Sequence, residues 1–368
     1  MINKSLIELT IVIPTLNEGY AITPLLNDLL VAFCEYEIEI IVVDGGSDDK
    51  TPEIVRKIAE QNPEIYLLNC KSMSLLASVA IGIVKSRSEY IIVMDGDGQH
   101  KPTDAVQLFL RLKTSENTDI VCGVRDLQHG GQTELSGSLS FIRSSISATI
   151  NRVLLELFNI QTKDPLTGFF CFRSDKVNAT QLTRGDGFKI LLEILLNNRE
   201  LKTVDQKINF APRLFGQSKL NVNTILFFIA QCISHLTHRI VSERILIFCA
   251  IGGFVLGFHT LIFFGSQTLF SLATVWCHFN AVFISSTLSF YLNSKITFSS
   301  VPTRFKAKYL AALTFVIVNL VLTFPNIVLF YELLSNFVGI PVLWLSLVTI
   351  PADTILKFLL VRKIVWKL

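Results

Sequence analysis

Charge is scarce in this chain: Asp, Glu, Lys and Arg make up 17% of 368 residues, apolar residues make up 50%, and the mean hydropathy is +0.50. The shortage is uneven. Residues before Glu243 carry the charge density of a soluble enzyme, whereas from Glu243 onward charges are few and lie beside long apolar runs. A chain so divided reads as a soluble head and a membrane tail. The seven cysteines (Cys34, Cys70, Cys122, Cys171, Cys232, Cys249, Cys277) include no C-x-x-C pair and are odd in number. They read as reduced, small apolar residues, which fits a cytosolic head. The net charge of +3, by subtraction a slightly acidic head and a basic tail, comes with no basic cluster interleaved with aromatics, so no nucleic-acid partner is expected. Strand-like sequence begins by Leu9 and no cleavable signal is visible before it. No G-x-G-x-x-G opens the first strand-to-helix turn, where Pro14-Thr15-Leu16-Asn17-Glu18 stands instead, and no P-loop lysine motif occurs. Both absences argue against a dinucleotide oxidoreductase and a P-loop enzyme.

What the head does contain is an alternation. Leu9 to Pro14 is a buried strand ended by proline, followed by a helical pattern from about Ile22 to Phe33; Glu39 to Asp44 is a second strand, followed by a polar loop, Gly45 to Pro52, and a helix from about Pro52 to Gln61. A short strand near Ile65 to Leu68, a helix from about Leu75 to Lys85, the apolar run Tyr90 to Met94 and a strand over Asp119 to Val124 continue the series. Strand, polar loop and helix in repetition predict a parallel sheet with its binding loops on one edge.

The loop Asp95-Gly96-Asp97-Gly98-Gln99-His100 emerges at the C-terminal edge of the central strand, where open α/β sheets bind ligands. Asp95 and Asp97 can converge on one hard cation, with Gln99 and His100 in reach, and oxygen ligands suit Mg²⁺ or Mn²⁺ and a diphosphate. As a bare D-G-D-G the same residues equally describe a turn that begins with two solvated acids. His100 and His129 read as incidental, since no second histidine stands at metal-ligand spacing. Phe169, Phe170 and Phe188 read as packing.

Three stretches in this order, Val12 to Glu18 (V-I-P-T-L-N-E), Ile40 to Thr51 (I-I-V-V-D-G-G-S-D-D-K-T) and Val93 to Pro102 (V-M-D-G-D-G-Q-H-K-P), resemble glycosyltransferase family 2. Cys122-Gly123-Val124-Arg125 with Gly130-Gly131, Phe141-Ile142-Arg143, Asp164 to Phe170, Gly187 to Glu193 and Arg213 to Lys219 resemble its dolichyl-phosphate mannosyltransferase branch. The resemblance implies an α/β head of GT-A type, Rossmann-like and nucleotide-sugar-binding, that performs an inverting, metal-dependent transfer to a lipid phosphate. It implies donor contacts at Pro14, Glu18, Val43, Asp44, Asp95 and Gly96, and a Mg²⁺ or Mn²⁺ site of Asp95, Asp97 and Gln99. It also implies cations at the donor diphosphate from Lys189, Arg213 and Lys219 and at the acceptor phosphate from Arg125 and Arg143, with Asp97, Arg125 and Arg143 as the catalytic set. Cations at these positions suit a reaction that joins two phosphorylated molecules. The chain departs from the branch at Gly45, where a second acid is common, at Met73 to Leu76, where a glycine turn is usual, and at Gln217. Gly96 and Gly98 replace alanine and leucine, which predicts a more mobile loop.

The tail opens with an expected interfacial helix over Asn223 to Arg239, followed by four apolar stretches at about 245–264, 272–292, 309–331 and 342–361, each near the 20 residues a spanning helix needs. It resembles a GtrA-like domain through Arg244 to Phe248, Phe290 to Phe298 and Phe358 to Trp366. The domains expected are therefore 1–222, a linker at 223–242, and an all-α membrane domain at 243–368. Lys295, Arg304, Lys306 and Lys308 share one loop, Arg362, Lys363 and Lys367 share the C-terminus, and the loops around Gly265 to Ser271 and Glu332 to Pro341 lack lysine and arginine. This pattern predicts a multi-pass protein whose head and termini face the cytosol. Asp353 and Lys357, four apart, are expected to pair on one helix face.

The expected reaction moves one sugar, foremost mannose from GDP-mannose, to a dolichyl or other polyprenyl phosphate at the bilayer. A UDP-sugar such as UDP-glucose with undecaprenyl phosphate is the alternative. A processive synthase is disfavoured because no Q-x-x-R-W segment follows the acid pair. A non-catalytic binder of lipid-linked sugar, suggested by Gly45 and the altered turn at Met73, is opposed by retention of the acids and cations named above.

Overall fold

Central strands that are apolar on both faces must be covered on both faces. The computed structural model of the chain, which describes residues 7–70, 75–125, 154–182, 189–208, 222–271, 274–299, 301, 303–328 and 354–366, shows how. Seven strands, β1 (Leu9–Thr15), β2 (Ile38–Asp44), β3 (Ile65–Asn69), β4 (Tyr90–Val93), β5 (Ile120–Arg125), β6 (Phe170–Arg173) and β7 (Thr203–Ile208), form one sheet in the order β3-β2-β1-β4-β6-β5-β7. The helices of the head are α1 (Ile22–Ala32), α2 (Thr51–Ala59), α3 (Leu75–Lys85), α4 (Pro102–Lys113), the short α5 (Ala179–Leu182) and α6 (Ile190–Asn197).

Side-chain parity divides the core. Leu9, Ile11 and Ile13 of β1, Ile38, Ile40 and Val42 of β2, and Tyr90 and Ile92 of β4 pack with α1 and α4. Their neighbours Val12, Ile41, Val43, Ile91 and Val93 pack with α3, α5 and α6. The two-residue period thus gives β1, β2 and β4 two buried faces each.

The sheet is mixed, where the sequence pattern predicted it parallel. β6 runs antiparallel between β4 and β5, with Phe170 opposite Val93 and Arg173 opposite Tyr90, while β1, β2, β3 and β4 are mutually parallel and β5 is parallel to β7. A strand of this direction enters the sheet from the C-terminal edge of β4. The turn that precedes it, Asp164 to Phe169, is therefore delivered to the edge where Asp95 emerges. At the opposite edge the buried Glu39 carboxylate accepts hydrogen bonds from Thr10 Oγ1 (2.7 Å) and from Arg87 N, Nε and Nη2 (2.8, 3.0 and 2.8 Å), tying β1, β2 and the start of β4.

The chain divides into two compact units, Met1–Thr224 and Ile225–Leu368. The second contains α7 (Val222–Leu236, from Ile225), α8 (Glu243–Phe270), α9 (Thr274–Lys295), α10 (Lys308–Val328) and a helix over 354–364. At 1.5 Å per residue α8 is about 42 Å long, more than the ~30 Å of bilayer hydrocarbon. Among the described residues it is the one helix long and apolar enough to cross a membrane, with a mean hydropathy of 2.3 over its most apolar 18 residues. It also runs through the expected loop at Gly265 to Ser271 and stops at Ser271, in the left-handed region at φ 49°. Its outward residues, among them Phe254, Leu261, Phe264, Leu269 and Phe270, are large and apolar. Most of the fourth expected span lies outside the described residues, as does Asp353.

Candidate active site

The acid loop is built on β4. Met94, fully buried, donates its N–H to Val12 O of β1 (3.2 Å), so the chain leaves the sheet at Asp95. Asp97 is buried and its Oδ1 accepts the N–H of Gln99 (3.1 Å). The Asp95 side chain is 52% exposed; His100 Nε2 lies 3.7 Å from its Oδ2. A Cβ on Gly96 would lie 2.9 Å from Thr15 Cγ2 and 3.3 Å from Ile13 Cγ2, so the Thr15 methyl fills the space that an alanine would take.

The neighbouring loops are stitched to each other. Asn17, at φ 58°, accepts Asp48 N–H on its Oδ1 (2.8 Å) and donates its own N–H to Ser47 Oγ (2.9 Å). Glu18 N–H donates to Thr51 Oγ1 (3.0 Å) and Gly19 N–H to Asp49 Oδ2 (3.0 Å). Asp49 also accepts from Thr51 N (2.9 Å) and Thr51 Oγ1 (2.5 Å). Partial burial alone would raise the Asp49 carboxyl, but these hydrogen bonds from Thr51 and Gly19 together hold it below its ordinary value. Asp44 is 2% exposed and accepts from Gly46 N (2.9 Å), Ser47 N (3.0 Å), Ser47 Oγ (2.5 Å) and Thr15 Oγ1 (3.4 Å). A carboxylate offers about four such sites, so Asp44 is engaged by its own loop. Pro14 and Val43 stand opposite each other in register, both buried, with Val43 in the core under α3. A Cβ on Gly45 would make only ordinary contact, 3.5 Å from Thr15 O.

On the other flank, Arg125 ends β5 opposite Ile208. Because β5 and β4 both run antiparallel to β6, Arg125 lies at the same sheet edge as Asp95. Lys189 precedes α6 and donates from Nζ to Leu166 O (3.0 Å). Arg143, Arg213 and Lys219 lie outside the described residues, as do His129, Phe188, Gln217, Met73 and Ser74. Asn17, Ser47, Asp49 and Thr51 escaped the sequence reading, because their work is done across two loops distant in sequence. His100, read as incidental, is 4% exposed and stacked on Phe169.

Among the described residues no three His, Cys, Asp or Glu side chains form a metal cluster. Asp95, Asp97 and Gln99 nonetheless make a fitting donor set for a hard cation, two carboxylates and an amide oxygen on one turn, with Asp95 open enough to leave room for phosphate and water.

A mixed α/β sheet with paired acids at the C-terminal edge of a central strand defines a GT-A-type head, here followed by a helical membrane unit. Residues 10–177 match the model of Glycosyl transferase family 2, and residues 247–366 match that of the GtrA/DPMS transmembrane domain. The chain thus carries a glycosyl transferase family 2 domain followed by a GtrA/DPMS transmembrane domain, which points to a membrane protein. It is 28% identical over 353 residues to a dolichol-phosphate mannosyltransferase of Pyrococcus furiosus, covering 90% of this chain and 95% of the relative. It is 38% identical over 135 residues to a dolichyl-phosphate beta-glucosyltransferase of Trichomonas vaginalis, covering 33% of this chain and 40% of that one. An undecaprenyl-phosphate 4-deoxy-4-formamido-L-arabinose transferase of Photorhabdus laumondii is 26% identical over 243 residues, 64% of this chain and 70% of the relative.

Proposed function

We propose that the protein transfers one sugar from a nucleotide donor to a polyprenyl phosphate at the cytosolic face of a membrane, with mannose from GDP-mannose as the leading donor. The observation that carries this reading is the acid pair at the end of β4 in a family 2 head joined to the same class of membrane domain, along a chain that aligns over 90% of its length with a dolichol-phosphate mannosyltransferase. A cation held by Asp95, Asp97 and Gln99 would offset charge building on the nucleoside diphosphate. Lys189, with Arg213 and Lys219, brings positive charge to the same phosphates. Arg125 and Arg143 hold the acceptor phosphate with an oxygen toward the anomeric carbon. A phosphomonoester loses its second proton near about pH 6, so that oxygen is already anionic at neutral pH and no general base is needed. The new bond joins phosphate oxygen to the anomeric carbon while the bond to the donor's diphosphate breaks, and in-line displacement inverts the configuration.

A UDP-sugar, such as UDP-glucose donated to undecaprenyl phosphate, is the second reading. It stays open because the expected base contact is weakened: Gly45 stands where a second acid is common, and Asp44 is engaged by Thr15 and its own loop. The membrane orientation follows from Lys295, Arg304, Lys306 and Lys308 in one loop and Arg362, Lys363 and Lys367 at the C-terminus. The test is transfer from radiolabelled GDP-mannose, UDP-glucose and UDP-N-acetylglucosamine, each alone, to a short polyprenyl phosphate with Mn²⁺ or with EDTA. The expected result is lipid product from one donor, lost with EDTA and reduced at least about a hundredfold in Asp97→Ala. No product from any donor with folded protein would favour the non-catalytic binder.

A further inference from the structure

The Asp95 carboxylate is bounded by residues that come from elsewhere in the chain or that read as packing. A Cβ built on Gly168 would lie 2.8 Å from Asp95 Oδ2, 3.0 Å from Oδ1 and 3.2 Å from Cγ. The His100 ring, whose Nε2 is 3.7 Å from Oδ2, stacks on Phe169 with centroids 4.5 Å apart and planes 30° apart. Phe169 is itself clamped: it is fully buried, its carbonyl accepts the N–H of Gly123 in β5 (2.9 Å), and a Cβ on Gly123 would come within 2.8 Å of its ring. The turn is closed by Thr167 N–H to Asp164 O (3.2 Å) and Phe169 N–H to Thr167 Oγ1 (3.2 Å), and Leu166 O accepts Lys189 Nζ (3.0 Å). One short turn therefore touches both the half-exposed acid and Lys189.

We propose that the Asp164 to Phe169 turn is the fixed wall of the donor site, and that Gly168 and His100 are positioning residues which set the Asp95 carboxylate toward a divalent cation. This rests on the reading of Asp95 and Asp97 as cation ligands. A half-exposed carboxylate has several rotamers open to it; a backbone wall on one part of it and an imidazole nitrogen near Oδ2 restrict that choice before the ligand arrives. Gly168 is not in the left-handed region, so alanine there brings no backbone strain. The atoms that its Cβ would strike are the ends of the Asp95 side chain. Relief comes when the carboxylate swings away, so the damage falls on cation binding and not on the fold.

The test is Mn²⁺ binding by the full-length protein in detergent, followed through the electron paramagnetic resonance signal of free Mn²⁺, with UDP or GDP present and without acceptor. His100→Phe keeps the ring stack and removes the nitrogen; Gly168→Ala adds the Cβ. Loss of a group that orients a metal ligand costs about 10- to 100-fold in affinity, and weakening of that size is expected for Gly168→Ala, with at least about threefold for His100→Phe. Thermal midpoints should stay close to that of the wild type, and transfer by Gly168→Ala should recover as Mn²⁺ is raised, which a general folding defect would not allow. Wild-type Mn²⁺ affinity in both variants overturns the positioning role while leaving the cation site intact. If Gly168→Ala does not fold, His100→Phe alone decides by the same criterion. Absence of Mn²⁺ binding in the wild type, matched by Asp97→Ala, overturns the cation reading and the proposal with it.

Discussion

At the scale of single residues, the loops around the acid pair are held by short polar side chains. Asp49 is the clearest case, because its carboxylate joins the loop after β1 to the loop after β2 through Gly19 and Thr51. A group whose folded pKa is depressed below the ordinary 3.8 adds stability that is fully present above that value. The contribution is lost as pH falls through the folded pKa. Asp49→Asn should therefore have a lower thermal midpoint than the wild type at pH 6, and the gap should shrink as the pH is taken below about 4. Paired melting curves from pH 6 to pH 3 check this; a constant gap would show that ionisation of Asp49 does not stabilise the fold. Gly96 illustrates a different residue-scale effect. What reads as lost substance in the acid loop is restored by the Thr15 methyl, a neighbour from another strand.

Among the elements, α4 carries the acid loop on its N-terminal side and is fixed to the sheet by Phe109. Its fully buried ring meets Phe33, Tyr36 and Tyr90, with centroids 6.3, 5.3 and 5.5 Å away. Phe109→Ala should cost ~3–5 kcal/mol of stability in the head, since transfer and cavity terms add in a site enclosed by α1, β4 and α4. A fall in the midpoint of head unfolding in denaturant measures it, and a loss under ~1 kcal/mol would mean that the three aromatic neighbours collapse into the space. The helices and parallel strands of the head were legible because each is a run of the right period with a polar loop behind it: α3 was expected at Leu75 to Lys85 and is found there. β6 was not legible. It is four residues long, its pattern F-C-F-R resembles any buried run, and its antiparallel direction depends on a long excursion after β5. With β6 unseen, the proximity of Gly168 and Phe169 to Asp95 and His100 could not be inferred, although every one of those residues stood in plain view. The end of α8 was placed near 264, but Ser266 to Phe270, polar and apolar alike, continue the helix past Gly265.

For the whole molecule, the question is which side of the membrane the head occupies. In the second unit, Arg304 donates from N to Val365 O (2.9 Å) and from Nε to Trp366 O (3.2 Å), and Trp366 stacks on Phe298 with centroids 4.0 Å apart. The basic loop and the basic C-terminal helix end are thus bonded at one end of the helices, which concentrates positive charge there. On the positive-inside rule this end is expected to face the cytosol, and the proposed function needs the head on that side. Cys34, exposed after α1, reports on the head, whereas Cys122, pushed up to about 12 by burial, and the fully buried Cys171 stay unreactive in the folded protein. A membrane-impermeant maleimide should therefore label Cys34 in inside-out vesicles and leave it unlabelled in sealed right-side-out cells, with the modified peptide identified by mass spectrometry. Labelling in intact cells would place the head outside, separate it from cytosolic donors, and turn attention to a lipid-linked sugar as the donor instead.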